Sequence, residues 1–181
     1  LKMSGKEVLT LIEGGKGIAV SSGESSGAWS NAGGIGTFSG VNADSYDENG
    51  DLILQEYKEK TRSGRHNELV KFSVKGAVNQ AKIARDIAGK NAAIHVNILW
   101  EMGAAETILT ETLKQSKGLI NGVTCGAGMP YKLSEISAAY NADKVVAQVN
   151  LAIALANDAL CGHGAAVGFA RPAGDVEFRR K

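Results

Sequence analysis

A glycine-rich turn is the part of this sequence best suited to holding a ligand. The apolar run 119–124 leads into Cys-Gly-Ala-Gly at 125–128, and a helical pattern begins at Leu133. A strand, a glycine turn and a helix start in this order place the turn at the carboxyl edge of a parallel sheet, where ligands bind. Glycine N–H groups there can approach a ring or a phosphate closely. An ordinary turn between a strand and a helix, without a ligand, explains the same residues.

Three polar side chains could take part in chemistry. Asn97 lies near the end of the apolar run 92–100, and its amide could hold the edge of a ring such as a flavin pyrimidine, or bond to neighbouring backbone. His95 shares its face of the strand and is interpreted as a packed, neutral histidine rather than a catalyst. His163 lies between two glycines. It could act as a base, or it could be a loop residue that ends a helix.

Composition narrows the classes of function. The chain has 181 residues, is 44% hydrophobic and carries a net charge of +1, so no nucleic acid or membrane partner is expected. The two cysteines lie in apolar segments and indicate reduced thiols, with a disulfide as the alternative. The chain has no secretory segment and no apolar run of about 20 residues, which predicts a cytoplasmic protein. The acidic stretch 44–51 lacks the spacing of a calcium loop, so no metal is expected.

The elements that must position these residues follow from hydrophobic periodicity. Apolar runs and 3.6-residue periodicity predict the following strands and helices. The strands are 17–21, 35–40, 93–99 and 119–124, and the helices are 67–88, 104–116 and 133–160. Residues 22–27 are predicted as a polar loop and 28–32 as a short helix. The alternating order predicts an α/β fold with a parallel sheet. Four strands would form half of a TIM-type (βα) barrel or a small open sheet, followed by a long C-terminal helix.

Residues 20–36, Val-Ser-Ser-Gly-Glu-Ser-Ser-Gly-Ala-Trp-Ser-Asn-Ala-Gly-Gly-Ile-Gly, resemble the amino-terminal motif of the nitronate monooxygenase family, formerly called 2-nitropropane dioxygenases. Val96-Asn97-Ile98 is similar to a strand of that family, and residues 122–136 resemble the sequence of one particular branch of it. The resemblance implies a TIM barrel that uses FMN to oxidise small nitronates or nitroalkanes with molecular oxygen. The positions that it implies as flavin contacts are Ser22, Gly23, Asn97, Thr124, Cys125 and Gly126.

The resemblance covers residues 1 to about 140, which it implies are the N-terminal half of a flavin-binding barrel, whereas 141–181 form a divergent helical tail. In that tail, Cys161-Gly162-His163-Gly164 partly resembles the family's Ala-Gly-Gly-His-x-Gly motif, so His163 would be the catalytic base. The alternative function is a truncated, non-catalytic half-barrel that serves as an oligomerising or interaction module. Because a partial barrel leaves strand edges unpaired, a homo-oligomer is expected, or else a tail that folds over the open side.

Overall fold

A three-stranded parallel sheet lies at the centre of this protein. The computed structural model describes residues 2–3, 6–15, 19–126 and 131–141. The sheet consists of β3 (Ile35–Ser39), β4 (Ala93–Leu99) and β5 (Gly122–Gly126), with β4 in the middle. Two short strands near the start, β1 (Lys2–Met3) and β2 (Lys6–Glu7), form a separate antiparallel pair. The predicted α/β class with parallel strands is therefore confirmed, and closure into a TIM-type barrel stays a prediction.

Four α-helices accompany the strands in the described part of the chain. They are α1 (Gly23–Asn31), α2 (Arg62–Ala88), α3 (Ala105–Ser116) and α4 (Tyr131–Asn141). A single 3-10 turn, Ala43–Ser45, follows β3. None of these helices is long and apolar enough to cross a membrane. Of the predicted helix 133–160, the described residues include only the part within α4, and 142–160 lie outside them.

The apolar side of the sheet packs against the long helices. Phe38, Ile94, Val96 and Val123 belong to one buried cluster that also contains three alanines of α2 and two leucines of α3. These strand positions alternate with polar ones, because successive side chains of a strand point to opposite faces. Burial of this face follows from the continuous apolar runs that predicted β3 and β4. The opposite face carries the polar residues.

Two predicted elements were wrong because local hydrogen bonds override the apolar pattern. Residues 22–27 are not a loop but the first turns of α1, since the Ser22 hydroxyl caps the helix by accepting the Ser25 N–H at 3.2 Å. In the predicted strand 17–21, the described residues 19–21 form a turn, with Ala19 at a φ of 57°. This turn still runs beside β3, since the Ser39 N–H donates to the Ser21 carbonyl at 2.8 Å.

The remaining differences lie at the ends of elements. Helix α2 starts at Arg62 rather than at residue 67 because the Thr61 hydroxyl accepts the Gly64 N–H at 3.0 Å. Strand β5 starts and ends later than predicted, so that it includes Cys125 and Gly126. The glycine turn therefore begins within the sheet.

Candidate functional site

The register of the sheet gathers polar residues on one face. Asn97 on β4 pairs with Ser39 on β3 and with Thr124 on β5. Two residues earlier on β4 and β3, His95 pairs with Thr37. Because side chains at alternate positions share a face, these five lie opposite the apolar cluster. Asn97 and its partners stand at the carboxyl ends of the strands, where ligand sites of parallel sheets form.

Asn97 lies at the carboxyl end of the central strand. Its side chain is 7% exposed and packs against the backbone of Gly15. A Cβ atom on Gly15 would overlap the Asn97 side chain, and one on Gly126 would lie 4.0 Å from Oδ1. Because glycine has no side chain, neither Gly15 nor Gly126 places a side chain over the amide. An amide at this position can both donate to and accept from a bound ring.

At the end of β5, the groups on the face of Asn97 are backbone atoms and the Thr124 hydroxyl, and they do not include the Cys125 thiol. Thr124 is partly exposed on the face of Asn97, and the Gly126 carbonyl accepts the Trp100 N–H at 2.9 Å. Cys125 lies on the opposite face, in the apolar cluster. Burial raises the pKa of the Cys125 thiol, which keeps it protonated and unreactive. Of the three predicted contacts on this strand, Cys125 can offer only its backbone to the face that Asn97 occupies.

Ser22 and Gly23 lie at the start of α1, directly after the segment that runs beside β3. Their polar groups are already engaged: Ser22 caps the helix, and the Gly23 N–H donates to the Gln80 side-chain oxygen. A Cβ atom on Gly23 would overlap the Gln80 backbone carbonyl, so a glycine is required for α1 to approach α2. Ser21, one residue earlier, is joined to Ser39, the neighbour of Asn97. Ser22 therefore directly follows a residue that is hydrogen-bonded to β3, while its own hydroxyl caps α1.

His95 is fully buried, and neither of its ring nitrogens has a hydrogen-bond partner among the residues that the structure describes. Burial lowers its pKa to about 4, because the charged imidazolium loses its hydration. A Cβ atom on Gly122 would overlap the ring, so the imidazole fills the space left by that glycine. The prediction of a packed, neutral histidine is confirmed. At neutral pH this side chain is not a proton carrier for the site.

Glu13 is a site residue that sequence reasoning missed. This buried carboxylate accepts the Thr37 N–H at 2.9 Å and the Ser25 hydroxyl at 3.2 Å. On either side of Thr37, the N–H groups of Ile35 and Ser39 donate to backbone carbonyls at 2.9 and 2.8 Å. The Glu13 carboxylate therefore replaces a missing backbone carbonyl along the edge of β3. Nothing in the sequence marks it, because a glutamate before two glycines resembles an exposed loop residue.

Two other predictions concern a metal site and the catalytic base His163. No group of three metal-ligating side chains occurs among the described residues. The acidic stretch 44–51 contains a hydrogen-bonded turn, in which Asp47 Oδ1 accepts the N–H groups of Asn49 and Asp51 at 2.8 and 2.9 Å. His163 lies outside the described residues, so its role as a base stays a prediction.

The described residues form an α/β protein with a parallel sheet whose polar face ends in Asn97, Ser39 and Thr124. Comparison with family models, curated proteins and solved structures finds no significant match to this chain. The resemblance of residues 20–36 and 122–136 to nitronate monooxygenases therefore stays a prediction.

Proposed function

We propose that the carboxyl edge of this sheet binds the ring of FMN and that the protein is a flavin-dependent oxidoreductase of the nitronate monooxygenase type. Its substrates would be nitronates or nitroalkanes, oxidised with molecular oxygen. The observation that carries the proposal is the nearly buried amide of Asn97 at the carboxyl end of the central strand. A flavin pyrimidine presents alternating carbonyl and N–H groups, which an amide complements with its own donor and acceptor.

The described residues fit a flat, partly polar ring. Gly15 and Gly126 add no side chain beside Asn97, and Thr124 offers a hydroxyl in register with it. A bound flavin would supply the electron transfer between the substrate and oxygen. The chain itself would orient the ring through Asn97 and would hold the sheet edge in place through Glu13. The catalytic proton would be taken by His163, as the resemblance implies.

The alternative function, an oligomerising or interaction module, has its own observation. Among the described strands, β5 pairs only with β4, so its outer edge has no described neighbour. Leu52 and Leu54 are also strongly exposed, at 69% and 94%. Unpaired edges and exposed apolar side chains favour association with another chain. This alternative requires no cofactor.

Titration of FMN into the apo protein distinguishes the two functions. Removing one typical amide hydrogen bond costs about 1 kcal/mol, so Asn97→Ala should bind FMN about fivefold more weakly than the wild type. Asn67→Ala, which changes an exposed asparagine on α2, is the matched control and should bind like the wild type. Flavin fluorescence quenching gives the affinities, and circular dichroism checks that each variant is folded.

Equal affinities of the wild type and Asn97→Ala would remove Asn97 from the site. If the folded wild type does not bind FMN at all, the flavin proposal fails. A concentration-dependent oligomer in light scattering would then favour the interaction module.

A further inference from the structure

The parallel sheet has an edge segment beyond β3, formed by residues 9–13. The Ile35 N–H donates to the Leu11 carbonyl at 2.9 Å, and the Glu13 N–H donates to the Ile35 carbonyl at 2.8 Å. Ile12 bridges Ile35 in the parallel sense, so the edge segment runs in the same direction as the strands. Among the described strands, the edge segment lies beside β3 alone and β5 pairs with β4 alone. The edge segment and β5 are therefore the two open ends of the described sheet.

The helices follow the same order as the strands. α1 packs on α2, α2 packs on α3, and α3 packs on α4. In a βα barrel each helix lies outside the sheet, between its own strand and the next strand. α4 follows β5 along the chain, and no next strand is present among the described residues. The helical layer thus starts at α1 and ends at α4, as the sheet starts at the edge segment and ends at β5.

Exposed apolar side chains lie at both ends of these two layers. Leu9 and Leu11 of the edge segment are 55% and 51% exposed. Trp29 of α1 is also exposed and lies beside them, since a Cβ atom on Gly34 would be 3.1 Å from the Leu11 carbonyl oxygen and 3.5 Å from the Trp29 ring. At the other end, Tyr140 of α4 is 41% exposed. Apolar surface at an open sheet edge favours association with another chain.

A second copy of this chain fits both ends at once. A two-fold rotation about an axis along the barrel keeps all strands parallel and brings β5 of each copy beside the edge segment of the other. The same rotation places α4 of each copy outside the other copy's edge segment, where Leu9 and Leu11 are exposed. Four segments from each copy give eight, the number at which side chains just fill the interior of a barrel. A partner of another kind would have to offer two such edges in the same orientation.

We propose that two copies of this chain form a two-fold dimer in which their sheets close into one eight-stranded barrel. β5 pairs in parallel with the edge segment of the partner, and Tyr140 of α4 packs near the exposed leucines of that segment. Each contact joins opposite ends of the two copies and occurs twice, so the assembly closes at two copies. This dimer does not rest on the flavin proposal, because none of its contacts uses Asn97.

The mass of the wild type tests whether the dimer forms. Size-exclusion chromatography with light scattering should give twice the chain mass of 18.9 kDa, and dilution should shift the mass towards that of one chain. A wild type with the mass of one chain throughout the dilution series would overturn the proposal and would indicate that residues 142–181 cover the open edges instead. A mass above that of a dimer would also overturn it, because the closed arrangement leaves no free edge.

Charged variants at the two ends test how the copies meet. Leu11→Glu and Tyr140→Lys each place an unpaired charge in both contacts of the dimer, so each variant alone should raise the dissociation constant at least about tenfold. Leu54→Glu changes a leucine that is 94% exposed and lies at neither end, and it should dimerise like the wild type. Circular dichroism checks that the variants are folded. If Leu54→Glu disrupts the dimer and the other two variants do not, the interface lies elsewhere.

Mixing Leu11→Glu with Tyr140→Lys distinguishes this dimer from one that joins identical ends. In the mixed dimer one contact is native, and the other brings the introduced glutamate and lysine to the same interface. An equimolar mixture should therefore recover the mass of the dimer although neither variant forms it alone. If the copies met through identical ends, one of the two variants would dimerise like the wild type on its own. That result, or a mixture that stays monomeric, would overturn the proposal.

Discussion

Mild acid should destabilise this protein through His95. Its imidazole is fully buried, and burial lowers its pKa from 6.5 to about 4. Below pH 6.5 the unfolded chain therefore takes up a proton at this residue that the folded protein does not accept until about pH 4. The state that binds more protons is favoured as the pH falls, so stability decreases from pH 6.5 towards pH 4.

The size of this loss follows from the two pKa values. One pKa unit corresponds to about 1.4 kcal/mol. The free energy of unfolding should therefore be about 2 kcal/mol lower at about pH 5 than at neutral pH. For a domain of this length, each kcal/mol lowers the melting temperature by about 2–4 °C. Protonation of His95 alone should thus lower the melting temperature by about 4–8 °C between neutral pH and about pH 5.

The assay compares thermal unfolding of the wild type and of His95→Leu at both pH values. Leucine has a similar volume and does not titrate, so the variant should lose about 2 kcal/mol less stability on acidification. At neutral pH it should be at least as stable as the wild type, because two unpaired buried nitrogens are removed. His66→Gln, at an exposed position on α2, is the control and should keep the full acid response of the wild type. If His95→Leu loses as much stability on acidification as the wild type, the reasoning is refuted.

Two further predictions concern the packing of the scaffold, and thermal unfolding checks both. Gly76→Ala should lower stability by about 1–3 kcal/mol, because the new methyl group would overlap the Ala43 carbonyl. Gly14→Ala places a methyl group where nothing lies within 4 Å and should be close to neutral, so equal effects would contradict this account. Glu13→Gln should cost about 2 kcal/mol, since hydrogen bonds to a charged group are lost, and an unchanged melting temperature would show that the charge is not needed there.

The predictable part of this fold is the part that hydrophobic burial determines. Strand β4 was predicted with its observed bounds because its apolar run reflects burial in the middle of the sheet. Most of α2 was predicted for the same reason, since its apolar spacing marks the side that packs on the sheet. Its first turn was missed because Thr61 sets it through one hydrogen bond, which leaves no periodic pattern.

The start of α1 shows where sequence reasoning fails. Serine and glycine favour both loops and helix N-termini, so residues 22–27 alone do not distinguish the two. Contacts with α2 determine that this segment is helical. The Gly23 N–H donates to the side-chain oxygen of Gln80, which lies 57 positions later in the chain. A Cβ atom on Gly27 would also lie 2.9 Å from the Ala84 carbonyl oxygen. The glycines thus allow close helix packing, which is a tertiary property.

The candidate site likewise has one part that the sequence predicts and another that it does not. The position of Asn97 at the end of a buried strand could be predicted, because strand alternation and strand order determine it. Its contact with the backbone of Gly15 could not, since the two residues are far apart in the sequence. Glu13 and the unpaired Gln80 donor depend on distant contacts for the same reason. Sequence reasoning thus located the edge but not the groups that remain available there.

The two faces of the sheet differ in how their polar groups are paired. The apolar face is covered by α2 and α3, and its side chains need no further partner. On the polar face, the ring nitrogens of His95 and the hydroxyl of Thr37 have no hydrogen-bond partner among the described residues, and the Asn97 amide lies nearer the carboxyl edge. Unpaired buried groups lower stability, and proteins retain such costs mainly where function requires them. A ring seated at Asn97 would satisfy the group nearest the carboxyl edge, whereas one seated beside the Cys125 side chain would have to displace the apolar core.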